Sequence, residues 1–155
     1  MPFLIVFFRW LHVITACVAI GSVFFVRLLL PVGLRVADDS TRHAAFLRCR
    51  RALKLVIHPA ILLFLISGIF NSWRAWDAYK TIPTVAHPLW GTHVLLAAII
   101  FAIALYVLAG AEPPAGHRNW MLVTLVLLVA TVAVASTLKY EREKAMKAAA
   151  APARP

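Results

Sequence analysis

Four long apolar runs dominate this chain and leave it few ways to fold in water. They cover residues 3–30, 52–73, 89–109 and 120–138. Each offers about the 20 mostly apolar residues that a helix needs to cross a hydrocarbon core ~30 Å thick. None shows the polar and apolar alternation of membrane barrel strands. The runs predict an all-α integral membrane four-helix bundle in residues 1–140, followed by a basic tail rich in alanine and proline at 141–155.

The composition excludes an aqueous globular domain and argues against nucleic acid as a partner. Hydrophobic residues make up 63% of the chain and charged residues 14%, which is too apolar for a soluble protein. The net charge of +10 comes from residues that flank the apolar runs and form no basic domain, so membrane lipids with anionic headgroups are the expected partner. The first run lacks a basic leader and exceeds a signal peptide in length, which predicts a retained span.

Orientation depends on how lysine and arginine distribute between the two membrane sides. The first and third loops, with the adjoining helix ends, hold eight such residues, and the N-terminus, second loop and tail hold eight more. The segment RCRRALK, at residues 48–54, is the densest cluster and directly precedes a span. It favours a cytoplasmic first loop and periplasmic termini in a bacterial inner membrane, whereas the basic tail favours the reverse.

Three of the six histidines lie inside the apolar runs, where a polar group is costly unless it is paired or functional. They are His12, His58 and His93. The first and third spans run in the same direction, and at 1.5 Å per residue His12 lies about 13 Å and His93 about 6 Å from the terminus-side face. This pair is predicted to ligate a haem iron axially. Hydrogen bonding between helices is the alternative use of both histidines.

Neighbouring residues are compatible with a macrocycle at this pair. Ala16 follows His12 by one turn and Ala97 follows His93 by one turn, which leaves space beside each ring, although small residues also serve ordinary helix packing. Arg9 precedes His12 and is a candidate partner for a haem propionate or for lipid headgroups. His58 precedes Pro59, so its ring either satisfies backbone groups that the proline frees or joins a second ligand site.

Other chemistry is less well supported by the sequence. Cys17 and Cys49 form no motif for covalent haem attachment, so any haem is a haem b held by axial ligands. Copper is the less favoured alternative, because the methionines and cysteines form no cluster of soft ligands. All six aspartates and glutamates lie outside the apolar runs, which argues against proton pumping through buried carboxylates. No nucleotide-binding or hydrolase motif is present.

Several segments resemble CopD-like and HemJ-like membrane proteins. RWLHVITACVAIGSVFFVRLLLP is similar to their first helix, RCRRALKLVIHPAILLFLISGIFNSW to their second, and Trp90 with Gly91 to the start of their third. The similarity spans about residues 9–105. It implies four helices and, for HemJ-like proteins, a haem b and protoporphyrinogen IX oxidation. The first-helix histidine of the family corresponds to His12.

The chain departs from the HemJ-like pattern at His93, where that family has a lysine. Two histidines suit a low-spin haem that passes electrons. Three functions are therefore considered: a membrane b-type cytochrome that carries electrons or belongs to a redox complex, a HemJ-like oxidase, and a CopD-like copper transporter or non-redox structural subunit. Candidate partners are a redox protein, partner subunits and a second copy of the chain.

Overall fold

The computed structural model describes residues 2–109 and 116–150, which are helical almost throughout. The elements are α1 (Pro2–Phe24), a π-helical turn (Phe25–Leu29), α2 (Leu30–Gly33), α3 (Asp39–Tyr79), α4 (Pro83–Leu108) and α5 (His117–Ala150). Four helical stretches within these ranges are long and apolar enough to cross a membrane, namely Phe3–Gly33, Asp39–Tyr79, Pro83–Leu108 and His117–Ala150. The predicted all-α membrane bundle is confirmed.

The helices extend well beyond the apolar runs that define the spans. Helix α3 has 41 residues and begins at Asp39, nine residues before the basic segment that precedes the second run. Helix α5 continues to Ala150, so the expected boundary at residue 140 lies within a helix, and residues 151–155 lie outside the described part. Alanine, lysine and glutamate at residues 141–150 favour helix, and this continuation carries its charges beyond the hydrocarbon core.

Local sequence signals determine where the helices begin and where the first span contains its π-helical turn. Asp38 caps α3 by accepting a hydrogen bond from the backbone N–H of Thr41 at 2.7 Å, which satisfies an otherwise unpaired donor. Pro83 stands in the first turn of α4, where its missing N–H costs nothing. In the first span, Pro31 cannot donate to the preceding turn. Just before it the backbone N–H of Leu30 bonds to the carbonyl of Phe25, five residues back.

In the bundle, α1 packs against α3 and α5, and α4 packs against the same two helices. Helices α1 and α4 therefore lie on a diagonal. Many large apolar side chains point outward, among them Leu55 at 79% exposed and Ile69 at 69%. Such a surface suits lipid rather than water, and it leaves small residues such as Ala60 and Ala86 for close contact between helices.

The interior has two apolar clusters separated along the bundle axis. One lies toward the first and third loops and contains Ala19, Val26, Leu53, Ile57, Val107, Leu108 and Met121. The other lies toward the second loop and contains Ala75, Tyr79, Ala86 and Leu138. Ser67 and His93 lie between these clusters in sequence, and the Oγ of Ser67 contacts Nδ1 of His12, which places a polar layer at mid-bundle.

Arg50 secures the loop-side end of α4. Its side chain is only 3% exposed, and its Nη2 donates to the carbonyls of Val107 at 2.9 Å and of Ala109. Carbonyls in the last turn of a helix have no partner within the helix, and a cation there also complements the helix dipole. One arginine of the basic segment is therefore a structural cap rather than a surface charge.

Candidate metal centre

The imidazole rings of His12 and His93 face each other across the diagonal of the bundle. Their centroids are 6.4 Å apart and their planes are tilted by 40°. Their depths therefore differ by at most that distance, less than the sequence-based depths suggested. Helix α4 begins at Pro83 rather than near residue 89, so each histidine lies ten residues after the first residue of its helix.

A seven-residue spacing directs both side chains inward. Ala19 and Val26 are buried and follow His12 at intervals of seven, while Ala86 and Ile100 are buried and flank His93 at the same interval. Positions seven apart lie on the same side of helices that pack at a shallow crossing angle. Both rings therefore lie on the same buried faces of their helices as these apolar residues.

Ser67 of α3 orients the His12 ring. Its side chain is fully buried, and its Oγ lies 2.9 Å from Nδ1 of His12. The Ser67 hydroxyl donates its proton to the carbonyl of Leu63, so the oxygen accepts from Nδ1–H of His12. In that tautomer Nε2 of His12 carries the free lone pair, which is the arrangement that a metal-binding imidazole requires.

His93 has a buried ring nitrogen that makes no hydrogen bond. Its Nδ1 has almost no accessible surface and no partner among the described residues. The backbone of Thr131 in α5 interacts with the same ring. A buried polar atom without a partner costs about 1–3 kcal/mol, and in a membrane interior such an atom points to a functional site.

The surroundings of the pair combine small residues with one aromatic wall. Phe64 packs edge-on against His12 at a centroid distance of 5.1 Å, so it borders the space that a macrocycle would need. A Cβ added to Gly68 would lie 3.6 Å from Cε1 of His12. Ala16 and Ala97 are half-buried one turn beyond each histidine. Small residues therefore adjoin the rings at Ala16, Gly68 and Ala97, and Phe64 adjoins the ring of His12.

Two further polar contacts hold the helices that carry the pair. Nδ2 of Asn71 donates to the carbonyl of Phe8 at 3.3 Å, one turn before His12. Nε1 of Trp90 donates to Oγ of Ser72 at 3.1 Å, one turn before His93. Asn71 and Ser72 both follow Ser67 within two turns, so polar residues on two sides of α3 connect it to α1 and to α4.

The other predicted residues lie apart from this pair. His58 is exposed on α3 and its Nδ1 donates to the carbonyl of Lys54 at 2.7 Å. It is nine residues, or about 13 Å, along α3 from Ser67. Arg9 is exposed near the start of α1. Cys17 and Cys49 line an open groove of about 440 Å³ between α1 and α3 that neither histidine lines.

Sequence reasoning did not identify Ser67 as part of this site. A signal was present, because Leu53, Ala60 and Ser67 repeat at the same interval of seven as the buried residues of α1 and α4. A serine that continues such a repeat into the membrane interior requires a hydrogen-bond partner, and a histidine on a neighbouring helix is the strongest candidate.

In the described part of the chain, no third histidine, cysteine, aspartate or glutamate joins the two histidines. Among residues 2–109 and 116–150, no group of three or more histidine, cysteine, aspartate or glutamate side chains is arranged to bind a metal ion. Comparison with family models, curated proteins and solved structures found no match to this chain. The similarity to CopD-like and HemJ-like proteins therefore remains a resemblance based on short motifs.

Proposed function

We propose that this protein is a membrane b-type haem protein with a role in electron transfer, and that His12 and His93 are the axial ligands. The observation that supports this most directly is the 6.4 Å separation of the two ring centroids across the bundle. Metal bonds to imidazole nitrogen are about 2.0–2.1 Å long, so one ion between two facing imidazoles corresponds to ring centroids roughly 6 Å apart.

The small number of protein ligands favours haem over an isolated metal ion. Sites for zinc and similar ions take at least three protein ligands, and the described residues provide two at this position. A haem iron needs only axial ligands from the protein, because the macrocycle supplies the rest. With two imidazoles bound, a haem exchanges single electrons.

The chain's own residues prepare this site before any cofactor binds. The hydrogen bond to Ser67 holds His12 in the tautomer with a free Nε2. His93 presents a buried nitrogen without a partner. The pair lies between the two apolar clusters, and apolar surroundings with fixed ligand orientation suit one-electron exchange.

The test is a reduced-minus-oxidised absorption spectrum of the detergent-purified protein. The wild type is expected to give a b-type difference spectrum, and His12→Ala and His93→Ala are each expected to abolish it. His58→Ala is the matched control, because that ring is exposed and bonds to its own helix. A wild type that folds but binds no haem, even after reconstitution with hemin, would contradict the proposal. So would a spectrum that survives loss of both His12 and His93.

The HemJ-like oxidase is separated from an electron carrier by complementation. Expression in a bacterial strain that lacks protoporphyrinogen oxidase is expected not to restore haem synthesis, because His93 stands where the oxidase pattern has a lysine. Restored growth would favour the oxidase instead. Copper bound at one equivalent by a haem-free protein would favour the CopD-like alternative.

We propose that the protein lies in a bacterial inner membrane with periplasmic termini. Four apolar helices support a multi-pass membrane protein, and an even number of spans puts both termini on one side. The basic segment before the second span supports a cytoplasmic first loop. Alkaline phosphatase fused to the C-terminus is expected to be active, and fused in the first loop to be inactive. The reverse pattern would invert the orientation.

A further inference from the structure

A second polar group lies at the terminus-side end of the bundle, away from the histidine pair. Arg142 of α5 lies within electrostatic range of Tyr79, the last residue of α3. Tyr79 is only 8% exposed. The Nε atom of Arg142 has almost no accessible surface and makes no hydrogen bond within the described residues. A guanidinium donor is thus buried without an acceptor.

The described part of the chain does not supply a counter-ion for Arg142. Each of its carboxylates is engaged elsewhere. Asp38 caps α3. The other four pair with basic residues: Asp39 with Arg42, Asp77 with Lys80, Glu141 with Lys144 and Glu143 with Lys139. An arginine near a membrane that is partly desolvated and unpaired costs free energy, which an anion from outside the chain offsets.

The position of Arg142 corresponds to the headgroup region of a bilayer. It follows Leu138, a member of the terminus-side apolar cluster, by four residues, or about 6 Å along α5. Trp76 and Trp90 pack together at this end of the bundle with centroids 5.9 Å apart. Tryptophans gather at the membrane interface, so we expect the guanidinium at the depth of lipid phosphates.

We propose that Arg142 and Tyr79 form a binding site for a phosphate group. A guanidinium offers parallel N–H donors that match two phosphate oxygens, and the Tyr79 hydroxyl is a third donor. The phosphate is either the headgroup of an anionic phospholipid or a free phosphate ion. This site is independent of haem binding, because it involves neither histidine nor the polar layer around them.

The test compares binding by the full-length protein after delipidation. Native mass spectrometry measures retention of phosphatidylglycerol against phosphatidylcholine, and thermal unfolding is recorded with inorganic phosphate against chloride at equal ionic strength. The variants are Arg142→Gln, Arg142→Lys, which keeps the charge without the fork, and Tyr79→Phe. Arg74→Gln is the matched control, because Arg74 is exposed at the same end of the bundle.

Arg142→Gln is expected to weaken phosphatidylglycerol binding about fivefold, the effect of one basic residue near an anionic surface. Arg142→Lys and Tyr79→Phe are expected to give part of that loss, and Arg74→Gln less than a twofold change. A rise in unfolding temperature with inorganic phosphate that needs Arg142 would identify free phosphate as the source. Equal results for the wild type and all three site variants in both assays would overturn the proposal. If Arg142→Gln does not fold, Arg142→Lys and Tyr79→Phe provide the same test.

Discussion

Replacing Ser67 with alanine removes the hydrogen bond that orients the His12 ring. The Ser67 Oγ accepts from Nδ1 of His12 at 2.9 Å, and the serine is fully buried. Alanine leaves Nδ1–H without a partner at mid-bundle and frees the ring to rotate. The carbonyl of Leu63 loses the hydroxyl donor but keeps the helical hydrogen bond from the backbone N–H at position 67. The main consequence therefore falls on His12.

The size of the effect differs between stability and cofactor affinity. An unsatisfied buried donor costs about 1–3 kcal/mol in water-soluble proteins. Between membrane helices the measured cost is nearer 0.6 kcal/mol, with a maximum of about 1.7, because the separated helices find other partners in the membrane. We expect a loss within that lower range. Removing the residue that orients a metal ligand costs about 10–100-fold in affinity, so haem binding is expected to weaken more than the fold.

Two measurements test this prediction. Unfolding in mixed micelles with increasing sodium dodecyl sulfate gives the free energy of unfolding, and absorbance titration with hemin gives the affinity. Ser136→Ala is the control, because Ser136 is an exposed residue of a span and its loss removes no contact with His12. The double variant with His12→Ala completes a cycle, in which the serine is expected to have no further effect once the histidine is absent.

Equal stability and equal haem affinity in Ser67→Ala and Ser136→Ala would refute the reasoning about the tautomer. A full effect of Ser67→Ala in the His12→Ala background would also refute it, since the serine would then act through another residue. Lower stability with unchanged haem affinity would limit Ser67 to a structural bond between α1 and α3.

Two further predictions follow from single contacts. Gly68→Ala is expected to raise the free energy of unfolding by about 0.4–1 kcal/mol, since its Cβ would meet His12 at an ordinary 3.6 Å. Gly68→Leu is expected to lower haem content by crowding the His12 ring, and Gly21→Ala, with nothing within 4 Å, controls for the helix effect. Equal haem content in all three variants would contradict the expected crowding. Hydrogen bonds from the Thr41 N–H, then from Ser40, lower the pKa of Asp38 from 3.8 to about 2. Its stabilising contribution is therefore complete above about pH 3.8 and is lost as the pH falls toward 2. The difference in unfolding temperature between wild type and Asp38→Ala should shrink over that window, and a constant difference would exclude the carboxylate as its cause.

The sequence predicted the class of fold, and it singled out two histidines that the structure brings together, for physical reasons that are local. A span needs about 20 apolar residues in succession, which is readable without any tertiary information, and all four helices are confirmed. His12 and His93 stood out because ionisable side chains in such runs are costly, and they lie together in the structure. Whether they hold haem remains a prediction.

Helix length and the roles of individual arginines were less accessible. The ends of α3 and α5 lie in polar segments whose helical state depends on propensity and capping, so the apolar runs underestimate both helices. Arg50 and Arg142 look alike in sequence, since both belong to basic segments at the ends of spans. Only packing distinguishes a cap on the carbonyls of α4 from a guanidinium with a buried, unpaired donor.

By itself, the sequence determined that this chain inserts into a membrane as four helices and that histidines are among the polar groups within them. Both conclusions were accessible because hydrophobic length and the cost of burying a polar group are properties of short segments. The tertiary structure alone decided that α1 and α4 lie on a diagonal, that their histidine rings lie 6.4 Å apart, and that Ser67 rather than His58 meets His12. These depend on rotation and register between helices, which result from side-chain packing across the whole bundle.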